Sequence, residues 1–196
     1  MGDIKSAREI AMEKVEKLGG ATEEERLKWK YAPEGEKLAA RYIKEDYNLV
    51  TELSKYEENG KQYVLESAAD ILVRNIELPK NDGVKRKSKR AMDGLKILKN
   101  DKVAVENAYS KIRRIFDHYL AQGEQQKKQA YESLKTEFTA KIQQAMQQQL
   151  GSLARANIDV ESQPQFQEEW RKLQIQLDLQ YIKLLDEYKQ ELLSIS

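Results

Sequence analysis

The sequence predicts an all-α protein, on three observations. Apolar residues recur every three or four positions in one segment after another. Capping residues stand where those patterns begin, and glycine or proline where most of them end. Nothing alternates with the two-residue period of a half-buried strand, and no strand–helix alternation or fixed-period repeat is present. The predicted arrangement is a compact N-terminal helical cluster over residues 1–121, then a long antiparallel, coiled-coil-like helical hairpin over residues 122–196.

The first segment opens MGDIKSARE. Met-Gly-x-x-x-Ser is the pattern of an N-myristoylation signal, whereas Ser6-x-x-Glu9 is a helix capping box. Asp3, Ile4 and Lys5 are not the small or uncharged residues that suit an acceptor Gly2. A single myristoyl chain anchors only marginally, and neither a basic cluster nor a cysteine lies beside it as a second signal. Ile4, Ala7, Ala11, Val15 and Leu18 share one helical face up to Gly19-Gly20, so the stretch reads as a helix cap.

Thr22-x-x-Glu25 is a second capping box, starting a short helix with Leu27 and Trp29 that is expected to end before Pro33. Pro33 suits the first turn of a further segment, carrying Leu38, Ala39, Tyr42 and Ile43. Leu49, Val50, Leu53 and Tyr56 form the next stripe, closed by Asn59-Gly60. Residues 61–78 differ: Gln62, Glu66, Asp70, Arg74 and Glu77 make one narrow polar stripe on an otherwise apolar helix. Such a helix must be surrounded by others, which makes it the expected centre of the N-terminal core. Pro79 and the turn Asn81-Asp82-Gly83 break it, and residues 84–99 resume a helix weakly interrupted by Gly94. Asn100 and Asp101 then cap a helix with Val105, Ala108, Ile112, Ile115, Phe116 and Tyr119 in its stripe, running to about Gln122 with Gly123 as a break or weak point.

The composition shifts there. Gln62 is the only glutamine before Ala121, and glutamines are frequent after it. Glutamine is an uncharged straight-chain helix former, suited to the exposed sides of long helices. Tyr131, Leu134, Phe138, Ile142, Ala145 and Leu153 line one side of residues 124–156, and the pattern lapses over 157–161. Ser162 and Pro164 read as the cap and first turn of a last helix. At 1.5 Å per residue, each of the two C-terminal helices is roughly 45–50 Å long. The last helix carries a stripe of Phe166, Trp170, Leu173, Leu177, Tyr181, Leu184, Tyr188, Leu192 and Ile195. An adjacent face carries Ile175, Leu179, Ile182, Leu185 and Leu193. One antiparallel neighbour covers the first stripe. The second needs the N-terminal cluster or another copy of the chain, and is the candidate self-association or partner face.

Composition bounds the chemistry. There is no cysteine, so disulfides, thiolate metal sites and cysteine nucleophiles are excluded. A formal net charge of +1 gives no global reason to expect nucleic acid or an acidic surface as partner. No apolar run approaches the ~18 residues of a membrane span, and the N-terminus lacks the apolar stretch of a secretory signal. A cytoplasmic protein without membrane contact is expected.

His118 is the only histidine, too few for a multi-histidine metal site, and Ile115 stands where Glu-x-x-His would need its acid. A helix-surface histidine near a helix C-terminus explains it without catalysis. The acidic clusters Glu23-Glu24-Glu25 and Glu168-Glu169 point in different directions around a helix and do not converge on one atom. Phosphate-loop, dinucleotide, nucleophile-elbow and His-Glu-x-x-His motifs are all missing, so no enzyme, cofactor, metal or small-molecule substrate is expected. The sharpest charge feature is Lys85, Arg86, Lys87, Lys89 and Arg90, near a helix start where cations are electrostatically disfavoured. That mismatch makes the run a candidate anion or nucleic-acid contact, although no aromatic residues interleave with it for base stacking.

MGDIKSAREIAMEKVEKL, together with ILVRNIELPK and RAMDGLKILK, resembles an uncharacterised bacterial family of soluble helical proteins over roughly residues 1–140. The resemblance implies an intracellular bacterial protein and carries no functional residues, because the family has no established activity. The leading functional expectation is a non-enzymatic helical scaffold or adaptor, dimerising or binding a protein partner through the C-terminal hairpin. The alternative is nucleic-acid binding through residues 85–90.

Overall fold

The computed structural model describes residues 8, 9, 12, 13, 22–45, 47–150 and 159–195. Ser6, and with it the MGDIKSARE cap, lies outside them, as do Gly2, Leu153 and Ile158. Every regular element among the described residues is helical, and the chain is all-α. The elements are α1 (Glu23–Lys44), α2 (Leu49–Leu53), α3 (Glu58–Arg74), α4 (Asp82–Leu98), α5 (Lys102–His118), a π-helical turn (Tyr119–Gly123), α6 (Glu124–Leu150) and α7 (Pro164–Ser194).

Contacts divide the chain into two compact units. The first comprises Met1–Glu77, Asn81–Asn107 and Lys189–Ser196, and the second Leu78–Lys80 and Ala108–Tyr188. Two of the four divisions fall inside helices, within α5 and within α7, and the other two flank Leu78–Lys80 between α3 and α4.

In the first unit, α1 packs along α3 and α4 packs on both. The polar stripe of α3 (Gln62, Glu66, Asp70 and Arg74) is exposed, while Val64, Ala68, Ala69, Leu72 and Val73 are buried. Leu38, Tyr42, Leu49, Leu95 and Val105 complete this core. The capping box at Thr22 forms: Glu25 N–H donates to Thr22 Oγ1 at 3.2 Å, and Thr22 N–H to Glu25 Oε2 at 2.9 Å. Asn81 caps α4 through Val84 N–H (2.9 Å), and Asp101 caps α5 through Val103 and Ala104 N–H.

Two expected breaks are absent. Pro33 lies inside a continuous α1 rather than at a new start. A proline in mid-helix leaves the carbonyl four residues earlier without its usual donor. Here that carbonyl belongs to Trp29, and the Arg8 guanidinium donates to it at 3.4 Å. Asn59-Gly60 does not close a helix either: both residues lie in the first turn of α3. Gly60 is buried there because a Cβ would stand 2.5 Å from the ring of Tyr31, so the glycine serves close packing rather than a turn.

Three cations complete helix ends in this unit. The Arg90 guanidinium donates to Tyr42 O and Glu45 O at the end of α1. Lys102 Nζ donates to Lys96 O and Lys99 O at the end of α4. Lys99 Nζ donates to Leu193 O (3.1 Å) and to Ile195 O at the end of α7. Each places positive charge where the carbonyl ends of a helix gather partial negative charge.

In the second unit, ring pairs follow opposite sequence directions. Tyr119 meets Tyr181, Tyr131 meets Phe166 and Trp170, and Phe138 meets Phe166, with centroids 5.0–5.5 Å apart and planes near perpendicular. Rising numbers on the first strand of contacts match falling numbers on α7, which is antiparallel packing. Edge-to-face pairs of this kind add ~0.5–1.5 kcal/mol each beyond the area they bury. Pro164 takes the first position of α7, where its missing N–H costs nothing.

Candidate functional site

The helix expected to end near Gln122 does not end. Tyr119–Gly123 form a π-helical turn, in which Glu124 N–H bonds Tyr119 O, and the chain passes directly into α6. His118 is therefore not at a helix C-terminus, and no terminal dipole accounts for it. π-Turns inside α-helices frequently coincide with functional sites. Gly123 is buried against this turn, where a Cβ would stand 3.1 Å from Tyr119 Cδ2 and 3.5 Å from the Tyr181 hydroxyl.

Two polar groupings meet at the turn, both within the second unit. The inner one centres on Asp178, whose side chain is 5% exposed. Lys80 Nζ stands 2.7 Å from Oδ2, and Lys127 Nζ 3.0 Å from Oδ1. Each oxygen of the carboxylate therefore faces an ammonium group. Lys127 also donates to the hydroxyl of fully buried Tyr119. Burial pushes the Asp178 carboxyl up, but the Lys80 and Lys127 ammonium groups pull harder the other way, and it titrates below the ordinary carboxylate range. Burial likewise pushes the Tyr119 phenol up, against the bond from Lys127.

The outer grouping is a cavity of about 420 Å³ lined by Lys111, Arg114, Ile115 and His118 of α5, Gln126 of α6, and Gln180, Tyr181, Leu184 and Tyr188 of α7. The Tyr181 hydroxyl is 3.0 Å from His118 Nδ1, and Lys111 Nζ lies 5.4 Å from the centre of the Tyr188 ring. Buried Tyr181 touches both groupings, packing its ring on Tyr119 and on His118. Among the described residues, no cluster of three or more acidic or histidine side chains stands ready for a metal ion.

Of the residues singled out in the sequence, His118 lies at this site, whereas the basic run lies in the first unit. In the basic run, Arg90 caps α1 and sits over the Tyr42 ring, and Lys87 pairs with Glu77 at 3.3 Å. Ser88, in the middle of the run, is buried: its hydroxyl accepts from Glu77 N–H at 3.0 Å and reaches Glu77 O at 3.1 Å, latching the chain that follows α3. Lys85, Arg86 and Lys89 are exposed.

On the second stripe of α7, Ile175 is 56% and Leu179 46% exposed, and Ile182 is partly covered. Leu185 is buried at 2%, and Leu193 belongs to the tail held in the first unit. The stripe therefore divides, with its exposed part confined to one segment. The sequence carried one overlooked sign of the inner grouping, since Asp178 falls between the two apolar stripes of α7, where a carboxylate needs a cationic partner.

Residues 50–194 match a family of unknown function, DUF6657, which is three quarters of the chain. The match takes in both long helices and begins after α1, whereas the sequence resemblance lay over roughly residues 1–140. No curated protein and no solved structure matches the chain. The chain belongs to the DUF6657 family.

Proposed function

We propose that this DUF6657 member is a non-catalytic helical scaffold that pairs with a second copy of itself through α7. The observation that carries the reading is the pair Ile175 and Leu179, large apolar side chains one turn apart and about half exposed, on a helix that buries Phe166, Tyr181, Leu185 and Leu192. Among the described residues no helix is long and apolar enough to cross a membrane.

The flanking charges favour a copy over an unlike partner. Lys172 lies seven residues before Leu179 and Asp186 seven residues after it. An antiparallel copy with its two-fold axis at Leu179 brings Lys172 opposite Asp186 at both ends. That is the self-complementarity an isologous interface requires.

The chain has no cysteine, so one introduced thiol reports one contact. Leu179→Cys, at the axis, is expected to form an intermolecular disulfide rapidly under mild oxidation. Leu184→Cys is equally exposed, at 46%, on the opposite side of the helix, and is expected to react slowly. Equal rates at the two positions would overturn the reading.

A further inference from the structure

We propose that the cavity lined by α5 and α7 binds a small aromatic anion: a planar apolar ring bearing a carboxylate or a phosphate. Its volume of about 420 Å³ falls in the range of small-molecule sites, roughly 300–1,000 Å³. Lys111, Arg114 and His118 follow one another at spacings of three and four, which puts them on one face of α5. None of the nine lining residues is acidic, and Lys111 and Arg114 are cationic. Such a wall concentrates anions, and a guanidinium matches a carboxylate or phosphate with two parallel hydrogen bonds.

The remaining lining gives the ligand its second property. Ile115, Leu184 and Tyr188 form an apolar surface, and Leu184 is 46% exposed although it lines a concave site. A ring seated there covers Leu184 and lies beside Tyr188, on which the Lys111 ammonium already rests. Tyr181 fixes the His118 ring through Nδ1 and is itself held by Tyr119, so the polar wall is organised before a ligand arrives. Gln126 and Gln180 supply uncharged donors and acceptors at the margin. Leu184 is nine residues, or two and a half turns, from Ile175, so this site and the proposed pairing strip occupy opposite sides of α7.

The single histidine makes the test specific, because the full chain gives one imidazole Cε1–Hε1 signal. The chain is titrated with phenyl phosphate, benzoate, phenol and inorganic phosphate. At least one of the two aromatic anions is expected to move the His118 signal saturably, at least tenfold more tightly than either phenol or inorganic phosphate. The tighter of the two identifies the anionic group. Arg114 is exposed, so Arg114→Gln is expected to keep the thermal midpoint and weaken binding tenfold or more. The proposal is overturned by the absence of a saturable shift, by an equal response to phenol or inorganic phosphate, or by unchanged affinity in the Arg114→Gln protein.

Discussion

Asp178 is the most consequential single side chain in the second unit. Its burial is compensated by the ammonium groups of Lys80 and Lys127, and Lys127 is itself 14% exposed. Removing one partner of a buried pair leaves the others uncompensated, at a cost of about 3 kcal/mol. Asp178→Asn is expected to lower stability by that amount in urea unfolding at pH 7. The pH dependence has a definite sign. A carboxyl whose folded pKa lies below its unfolded value stabilises the fold above the unfolded value, 3.8 for Asp, and loses that contribution as the pH falls through the folded one. The gap between wild type and Asp178→Asn should therefore be full at pH 6 and shrink steadily below about pH 4. A gap that stays constant down to pH 2 would show that Asp178 acts through shape rather than charge. The sequence shows an acid between two apolar stripes, but not that Lys80 and Lys127 meet it, because nothing local encodes contacts 98 and 51 positions away.

Among the elements, α1 and α3 show what close packing asks of a helix. Gly35 of α1 is buried against α3, where a Cβ would lie 2.3 Å from Val64 O and 2.2 Å from Ser67 Oγ. Alanine is the better helix former by roughly 1 kcal/mol, yet here its methyl collides with backbone that cannot rotate away. Forcing the helices apart costs more than the propensity gains, so Gly35→Ala is expected to destabilise the protein by about 2 kcal/mol. A rise in thermal midpoint would contradict this packing. The same balance explains where local signals failed. Pro33, Gly60 and Gly123 carry the residue types that end helices, yet all three lie inside helical segments. Arg8 reaches the carbonyl that Pro33 orphans, Tyr31 needs the space at Gly60, and a π-turn absorbs Gly123. Tertiary partners decided each case. Signals with local partners, the capping box at Thr22 and Glu25 and the first-turn proline of α7, were legible.

At the scale of the whole molecule, the shift to glutamine after residue 121 tracks solvent rather than a unit boundary. Gln122, Gln125, Gln126, Gln129, Gln143 and Gln144 are all exposed, as uncharged helix formers on solvated faces should be. Two of the divisions between the compact units fall instead within α5 and α7, where the sequence shows uninterrupted helical pattern. The basic run illustrates the same limit for function. Its charge was plain in the sequence, while the cap that Arg90 provides for α1 and the latch that Ser88 provides depend on long-range contacts. The doubled face of α7 was legible from periodicity alone, and in the folded protein Ile175 and Leu179 are about half exposed. That half-exposed strip is the centre of the functional reading, and light scattering on the full-length chain tests it most directly. Wild type is expected to approach twice its 22.8 kDa at high concentration and to dissociate on dilution, while the Ile175→Lys, Leu179→Lys double variant keeps its helicity and stays monomeric throughout. A wild-type mass of 22.8 kDa at every concentration, or a double variant that dimerises as wild type does, would contradict the account.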